Sequence, residues 1–402
     1  MNRALEGIRI ADFSWLWAGD YATELLAFLG AEVIKIESKN RVDGCRLQSL
    51  TTGQVFTEPD RSPVYNHLNL NKLDVTIDLK TPEGMELAKK VIGISDVVMQ
   101  NMRPGVMDRL GLSYNDIVKV KPDIIYLASS ACGSTGPEKA YSGYAPNFAA
   151  LGGVANITGY SEKTPSYMTG EVDLLSATAA AYAILVGLNH RAVTGEGQFI
   201  DLSSTEVCSS TVGDVLMDYI MNGNNQSARG NSDDIMAPHN CYPANGKDRW
   251  ISIAVATDDE WQSLCNVMGN PSWSMNGEYA DAYSRWKNQS ELDNHISQWT
   301  REYSSIELME KLQDAGVAAV PSFDAKDLYE GSHLKERGFW NKVNHPVIGE
   351  QVVLAPPWKL SGTPAEVTSY GPLLGEHNRY VFGKLLGISD QEIEELVKKG
   401  AI

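Results

Sequence analysis

The sequence predicts an α/β protein whose larger part is built on a parallel sheet, with a smaller α+β part inserted late in the chain. Three observations carry this expectation. Strand-like and helix-like runs alternate through about the first 220 residues, a polar Gly- and Asn-rich stretch, NGNNQSARGNSDD, interrupts the pattern at 222–234, and the composition changes after it. From Gly7, GIRIADF is a β-rich run ending at Phe13, a helical run follows from about Gly19 to Leu29, Gly30 fits the C-terminal cap, and AEVIKIE is a second strand. A βαβ unit of this kind crosses over right-handed and lays its strands parallel.

A second round begins at Thr81-Pro82-Glu83, an N-cap with proline at the first helical position, and runs through MELAKKVIG to the apolar strand DVVMQN. Ser113 and Asp116 have the spacing of a capping box before the strand DIIYLASS. Leu174 to Leu188 is rich in Ala, Leu, Ile and Val without charge or proline, which predicts a buried helix shorter than a membrane span. QFIDLSS is then one more buried strand, with Ser203 or Ser204 capping a helix to about Met221. Beyond the polar stretch, short strands such as WISIAV mix with amphipathic helices such as DDEWQSLCNVMG and SIELMEKLQDAG. The final segment, with PVIGEQVVLAPPWKLS and a helix from Asp390, is placed to return to the larger domain. The expected boundaries are 1–222, 223–325 for linker and small domain, and 326–402 for the return.

A chain of 402 residues with 43% apolar and 21% charged residues is globular and long enough for two or three domains. Its 34 Lys plus Arg against 51 Asp plus Glu give a net charge of −17, with no basic run, so neither nucleic acid nor an anionic membrane is an expected partner. An anionic ligand would have to be held by a few placed cations and backbone N–H groups. The first residues show no apolar run of signal-peptide length, and five widely spaced cysteines lack any C-x-x-C pair. Both features predict a cytoplasmic protein with no structural metal. No G-x-G-x-x-G follows the first strand, and no Walker A, G-x-S-x-G or H-E-x-x-H is present. Gly195-Glu196-Gly197 reads as a tight helix-to-strand turn.

One acid, Asp173, stands at the mouth of the apolar helix. It can be a helix cap, since Asp is a preferred N-cap. It can equally be a carboxylate nucleophile, kept ionised beside an apolar wall by the field of the helix N-terminus. Composition and periodicity leave both open.

Six stretches in register narrow the choice. LEGIRIADFSWLWAGDYATELLAFLGAEVIKIE, NLNKLDVTIDLKTPEG, NMRPGVMDRLGL, the D-x-x-x-A of Asp173, RAVTGEGQFIDLS and PLLGEHNRYVFGKLLGIS together resemble the class III (CaiB/BaiF-type) coenzyme A transferases over nearly the whole chain. The resemblance implies a Rossmann-like domain formed by both chain ends, an inserted smaller domain, and an interlocked dimer. It makes Asp173 the nucleophile, with an acyl-CoA and a free carboxylic acid as substrates and no metal. It places Trp17 and Ala18 near the CoA thiol, Leu70, Asn71, Lys72 and Leu73 along the adenine and pantetheine path, and Asn101, Met102 and Arg103 beside the phosphates with Arg109. Read without it, Lys72 and Arg109 are solvated surface cations and Trp17 a core aromatic. Tyr144 in SGYAPNF matches a tyrosine of several transferases where related racemases carry a catalytic histidine, and its bland role is a packed aromatic.

The chain also departs from the pattern. It has Trp17 where some formate-type members carry glutamine, Asp20 where proline is common, and no run of four glycines, which argues against a formyl or oxalyl substrate. YSGYAPNFAALGGVANITGY and PHNCYPANGKDRWISIAV look most like transferases of aromatic degradation that exchange CoA between succinate and benzylsuccinate-like acids. Two alternatives stand beside CoA transfer: a 2-methylacyl-CoA racemase, or a CoA-binding subunit of a heteromeric transferase.

Overall fold

The protein is described here from a computed structural model, which describes residues 3–49, 52–160, 165–168 and 170–402. Contacts divide the chain into two compact units. One gathers the chain up to Asn156 with Ser166–Gln226 and Lys335–Ile402, and the other gathers Ile157–Pro165 and Ser227–Leu334. The chain therefore passes between the units at 156/157, 165/166, 226/227 and 334/335.

The first unit is built on six parallel strands: β1 (Arg9–Asp12), β2 (Glu32–Glu37), β3 (Leu73–Thr76), β4 (Val97–Gln100), β5 (Ile125–Ser130) and β6 (Gln198–Ser203). Their order is β3-β2-β1-β4-β5-β6. The mixed α/β class with a parallel sheet is therefore as expected. Alternation along the strands sends one set of side chains to each face. Ile10, Val33, Met99 and Leu127 join a core with the helices Leu16–Phe28 and Gly170–Thr194. Ala11, Ile34, Val98 and Tyr126 join another with the helices Pro82–Gly93 and Asp390–Lys398.

Several sequence expectations need correction. The strand β3 was not among the expected strands, although LDVT alternates apolar and polar residues; its polar positions are buried as well, Asp74 and Thr76 included. The helix expected to reach Met221 is broken into Ser204–Ser210 and Gly213–Asn222, although Ser203 does cap the first piece through Glu206 N–H at 3.2 Å. Ser113 makes no capping bond to the backbone; its hydroxyl donates to Asp116 Oδ2 at 2.7 Å. The apolar helix is also longer than Leu174–Leu188. It spans the 25 residues Gly170–Thr194, enough by length and composition to cross a membrane. Its small residues explain its actual place: Ala177, Ala180 and Ala181 lie in the sheet core, and a Cβ on Gly187 would stand 3.1 Å from Ile125 Cγ2. The turn that follows is tight, since a Cβ on Gly197 would fall 2.3 Å from Ile124 O.

The C-terminal stretch is sewn into this same unit. Ala401 O accepts from Asp78 N–H at 2.8 Å, and Asp74 O accepts from His377 N–H at 2.9 Å. A hairpin of β10 (Trp340–His345) and β11 (Gly349–Leu354) precedes that stretch. The second unit, by itself, has an antiparallel sheet of β7 (His239–Pro243), β8 (Trp250–Ala254) and β9 (Ala318–Pro321). Trp261, Leu264, Tyr279, Leu292 and Leu308 fill its core.

Candidate active site

In the strand order of the first unit, succession reverses between β1 and β4. Open parallel sheets bind ligands beyond the strand carboxyl ends at such a point. Here the loops after β1 and β4 are tied together: Asn101 Nδ2 donates to Trp15 O at 2.6 Å, and Asn101 Oδ1 accepts from Trp15 N–H at 2.8 Å. The next residue, Leu16, is held at φ 60°, an unfavourable conformation for a branched side chain. Gly19 must be glycine, because a Cβ there would stand 2.4 Å from Ser14 Cβ and 2.9 Å from Asn101 Nδ2.

Beneath this turn lies a fully buried ion cluster. Lys35 Nζ donates to Ser14 O at 2.8 Å and to Asp43 Oδ2 at 2.8 Å, and it is paired with Asp20. Asp43 Oδ2 accepts from Leu16 N–H at 3.1 Å. Lys72 Nζ reaches Asp20 O at 2.8 Å, Asn69 Oδ1 at 2.8 Å and Asp12 Oδ2 at 3.4 Å. Burial, with help from Asp43, pushes the Asp20 carboxyl up to about 8, against the opposing pull of Lys35. Burial alone would lower Lys35, but Asp20 and Asp43 outweigh it and raise the ammonium well above its ordinary value. Asp20, Asp43 and Cys45 bring potential ligand atoms within 4.8 Å of one another, yet the Lys35 ammonium already occupies the charge between the carboxylates.

The same turn meets the helix that carries Asp173. The Trp17 ring packs on Gly170, where a Cβ would lie 3.1 Å from Cζ3. Asp173 is in the first turn of that helix. It is not the N-cap, so the capping role expected from sequence does not apply. It is half-buried and, among the described residues, has no hydrogen-bond or ion-pair partner. Burial pushes its carboxyl up to about 7, which corrects the expectation that the helix field keeps it fully ionised. Burial and then its charge raise the thiol of Cys208, while the thiol of Cys45, below the turn, is raised by burial, Asp43 and Asp20 with a smaller push from Asp173. What the arrangement offers is a half-buried carboxylate, without a hydrogen-bond partner among the described residues, on the helix turn that meets Trp17.

The other expected site residues divide in two. Arg103 lies in the loop after β4 and Arg109 ends the short helix Val106–Arg109 that Gly105 starts; both are exposed, and among the described residues neither guanidinium has a partner. Arg109 Nη1 folds back to 3.5 Å from where a Gly105 Cβ would be. Ala18 and Met102 are half-buried beside the turn. By contrast Leu70 is fully buried, and Lys72 is neither a surface cation nor open to a ligand, since it is 2% exposed and bonded on all sides. Asn71 turns its amide to the return segment, donating to Glu366 O at 2.7 Å and accepting from Thr368 N–H at 2.7 Å, while Leu73 opens β3. Asn101 likewise has its amide committed to Trp15. Tyr144 is 68% exposed, so it is not the packed aromatic of the bland reading. It precedes the helix Ala145–Leu151, whose Ala145 shares an apolar cluster with Val172, the neighbour of Asp173. A cavity of about 430 Å³ runs along this stretch, lined by Cys132, Tyr141, Gly143 and Phe148.

Sequence reading missed Lys35, Asp20 and Asp43 as a unit, because charged residues in a strand, a helix and a loop give no local sign of converging. Asp20 in place of proline was the available signal.

The profile of CoA-transferase family III matches residues 5–378. The chain is 32% identical over its whole length, and 98% of the relative's, to a succinyl-CoA–D-citramalate CoA-transferase of Chloroflexus aurantiacus. It is 30% identical, over 99% of this chain and 98% of the relative, to the beta subunit of that organism's succinyl-CoA–L-malate CoA-transferase. A solved CaiB/BaiF family protein from Brucella suis superposes with a TM-score of 0.86 at 25% identity, covering 96% of this chain and all of the other. The chain belongs to CoA-transferase family III and is an enzyme of that class.

Proposed function

We propose that the protein moves CoA from succinyl-CoA to a dicarboxylic acid, with Asp173 as the covalent relay. The observation that carries this reading is the carboxylate of Asp173, without a partner among the described residues, on the helix turn that meets Trp17. An Asp173 oxygen attacks the thioester carbonyl, the C–S bond breaks, and CoA leaves as thiolate from a mixed anhydride. The thiolate then attacks Cγ of Asp173, expelling the first acid as its carboxylate and leaving an aspartyl-CoA thioester. The acceptor carboxylate attacks that Cγ, thiolate departs again, and its attack on the acceptor acyl carbon frees Asp173. One thioester is broken and one made, so no nucleotide hydrolysis is required.

Arg103 and Arg109 would hold the CoA phosphates, as exposed cations without partners among the described residues of an acidic chain. Trp17 and Ala18 would border the thiol end, with Met102 between. Tyr144 is assigned to the acyl side, where its ring is free to meet substrate. Succinyl-CoA as donor is supported by the two named relatives. For the acceptor, an aryl dicarboxylate of the benzylsuccinate kind follows from the resemblance of residues 141–160 and 238–255, and a small hydroxy-dicarboxylate of the citramalate or malate kind follows from the relatives. Incubating the enzyme with succinyl-CoA and each free acid, then separating the CoA esters, decides between them. If neither acid yields a new CoA ester but a 2-methylacyl-CoA loses its stereochemistry, the racemase alternative holds instead.

The working form is assigned as an interlocked dimer of the first unit's domain, in the cytoplasm, where the five free cysteines persist. Its support is exposed apolar surface that a lone chain does not explain. Leu175, Tyr182, Val186 and Val193 point outward from the Gly170–Thr194 helix, and the helix Gly213–Asn222 has no buried residue while exposing Leu216, Met217, Ile220 and Met221. The partner is a second copy or a related subunit. Mixing differently tagged dimers tests the interlock, which predicts no exchange under native conditions.

A further inference from the structure

We infer that the buried Lys35–Asp43 pair, with Asp20, positions the transfer step: it fixes the Leu16 backbone and thereby sets the Trp17 ring against the first turn of the Asp173 helix. The inference rests on the transferase reading with Asp173 as nucleophile. Four backbone groups of three consecutive residues define the turn, Trp15 offering both its N–H and its O, and each is held by a side chain from another part of the sheet. Ser14 O is held by Lys35 of β2, Leu16 N–H by Asp43 from the loop after β2, and Trp15 by Asn101 from the loop after β4.

Leu16 stays at φ 60° because these bonds over-determine it. Trp17 cannot fix its own ring by a hydrogen bond, since its Nε1 is buried and unpartnered among the described residues. Its orientation therefore comes from the backbone before it and from packing on Gly170, Cys45 and Tyr65. Asp20 completes the device. It pairs with Lys35 and accepts from Asn69 Nδ2 at 3.2 Å, which keeps the ammonium aimed at Ser14 O and Asp43. The cluster does more than pair charges: it grips the backbone on both sides of Trp15, at Ser14 O through Lys35 and at Leu16 N–H through Asp43. None of the three charged residues touches substrate in this scheme; they are positioning residues.

A double-mutant cycle separates positioning from plain support. The four proteins are wild type, Asp43→Asn, Trp17→Phe and the double variant, each assayed for the single-turnover rate of Asp173 acylation by succinyl-CoA at saturation. Positioning predicts that Asp43→Asn and Trp17→Phe each slow acylation by about ten- to a hundredfold, the scale of a reacting group displaced by an ångström, and that the double variant is no slower than the worse single variant. Equal slowing by Asp43→Asn in both backgrounds, or no slowing by Trp17→Phe, overturns the inference. Should Asp43→Asn fail to fold, Asp20→Asn replaces it in the same cycle, since Asp20 touches Lys35 without touching the turn backbone. Wild type that forms no Asp173 adduct at all would instead sink the transferase reading on which the inference stands.

Discussion

Asp20 and Asp173 are both aspartates driven upward by burial, to about 8 and about 7, yet one has every neighbour it needs and the other has none. Asp20 is wrapped by Lys35 and Asn69 below the β1 turn, while Asp173, in the first turn of the helix on which Trp17 packs, has no donor among the described residues. A buried carboxyl that is satisfied serves structure; one that is left unsatisfied keeps its lone pairs for a ligand. The two sites are joined through Trp17, whose backbone belongs to the first and whose ring lies on the helix of the second.

The comparison breaks most sharply under substitution of the open carboxylate. Asp173→Asn should lower transfer by about four to six orders of magnitude, the scale seen when a covalent nucleophile is removed. Folding should be unaffected, because Asp173 gives up no bond. A carboxyl raised in the folded state adds stability that is fully present below its ordinary range near 4 and lost as pH rises through about 7. The Asn variant should therefore melt no lower than wild type at pH 8, as calorimetry at pH 5 and pH 8 can check.

The closed site predicts the opposite pattern. Lys35→Met leaves Asp20 and Asp43 facing each other without their cation, and removing one partner of a buried pair costs about 3 to 5 kcal/mol. Urea unfolding should register that loss, and near-wild-type stability would show the cluster to be replaceable.

How much of this was legible beforehand follows the same division. The strands β1, β2, β4, β5 and β6 were readable because their apolar runs are bounded by caps and glycines, such as Thr81, whose hydroxyl accepts from Gly84 N–H at 3.0 Å, and Gly30 at φ 101°. The family motif pointed to Asp173, and its position in the chain fixed the helix that carries it. Its protonation was not readable, since that depends on the wall around it. Lys72 shows the converse: a lysine in a motif looks like a ligand, and only three-dimensional placement reveals an ammonium spent on Asp20, Asn69 and Asp12. The break at Thr211–Val212 was hidden because a short interruption held by tertiary contacts leaves little trace in the periodicity, whereas β3 did carry an alternating pattern, LDVT, that was legible and went unused.

A smaller effect is expected from the phosphate side. Arg109→Ala should raise KM for succinyl-CoA about ten- to a hundredfold, matching about 1.5 to 3 kcal/mol for a charge-assisted bond, with kcat nearly unchanged. A fall in kcat alone would move Arg109 away from the phosphates. The mildest test is pH. With Asp173 near 7, its ionised fraction rises about tenfold between pH 6 and pH 8, so single-turnover acylation should rise by the same factor. A rate flat from pH 5 upward would mean that substrate or partner binding had restored an ordinary carboxylate.

The central claim is that Asp173 itself carries the CoA. Wild-type protein incubated with succinyl-CoA and then hydroxylamine should yield, by peptide mass spectrometry, a hydroxamate on the peptide containing Asp173, and Asp173→Asn should yield none. Transfer at the wild-type rate by the Asn variant, or a hydroxamate on a different residue, would contradict the account.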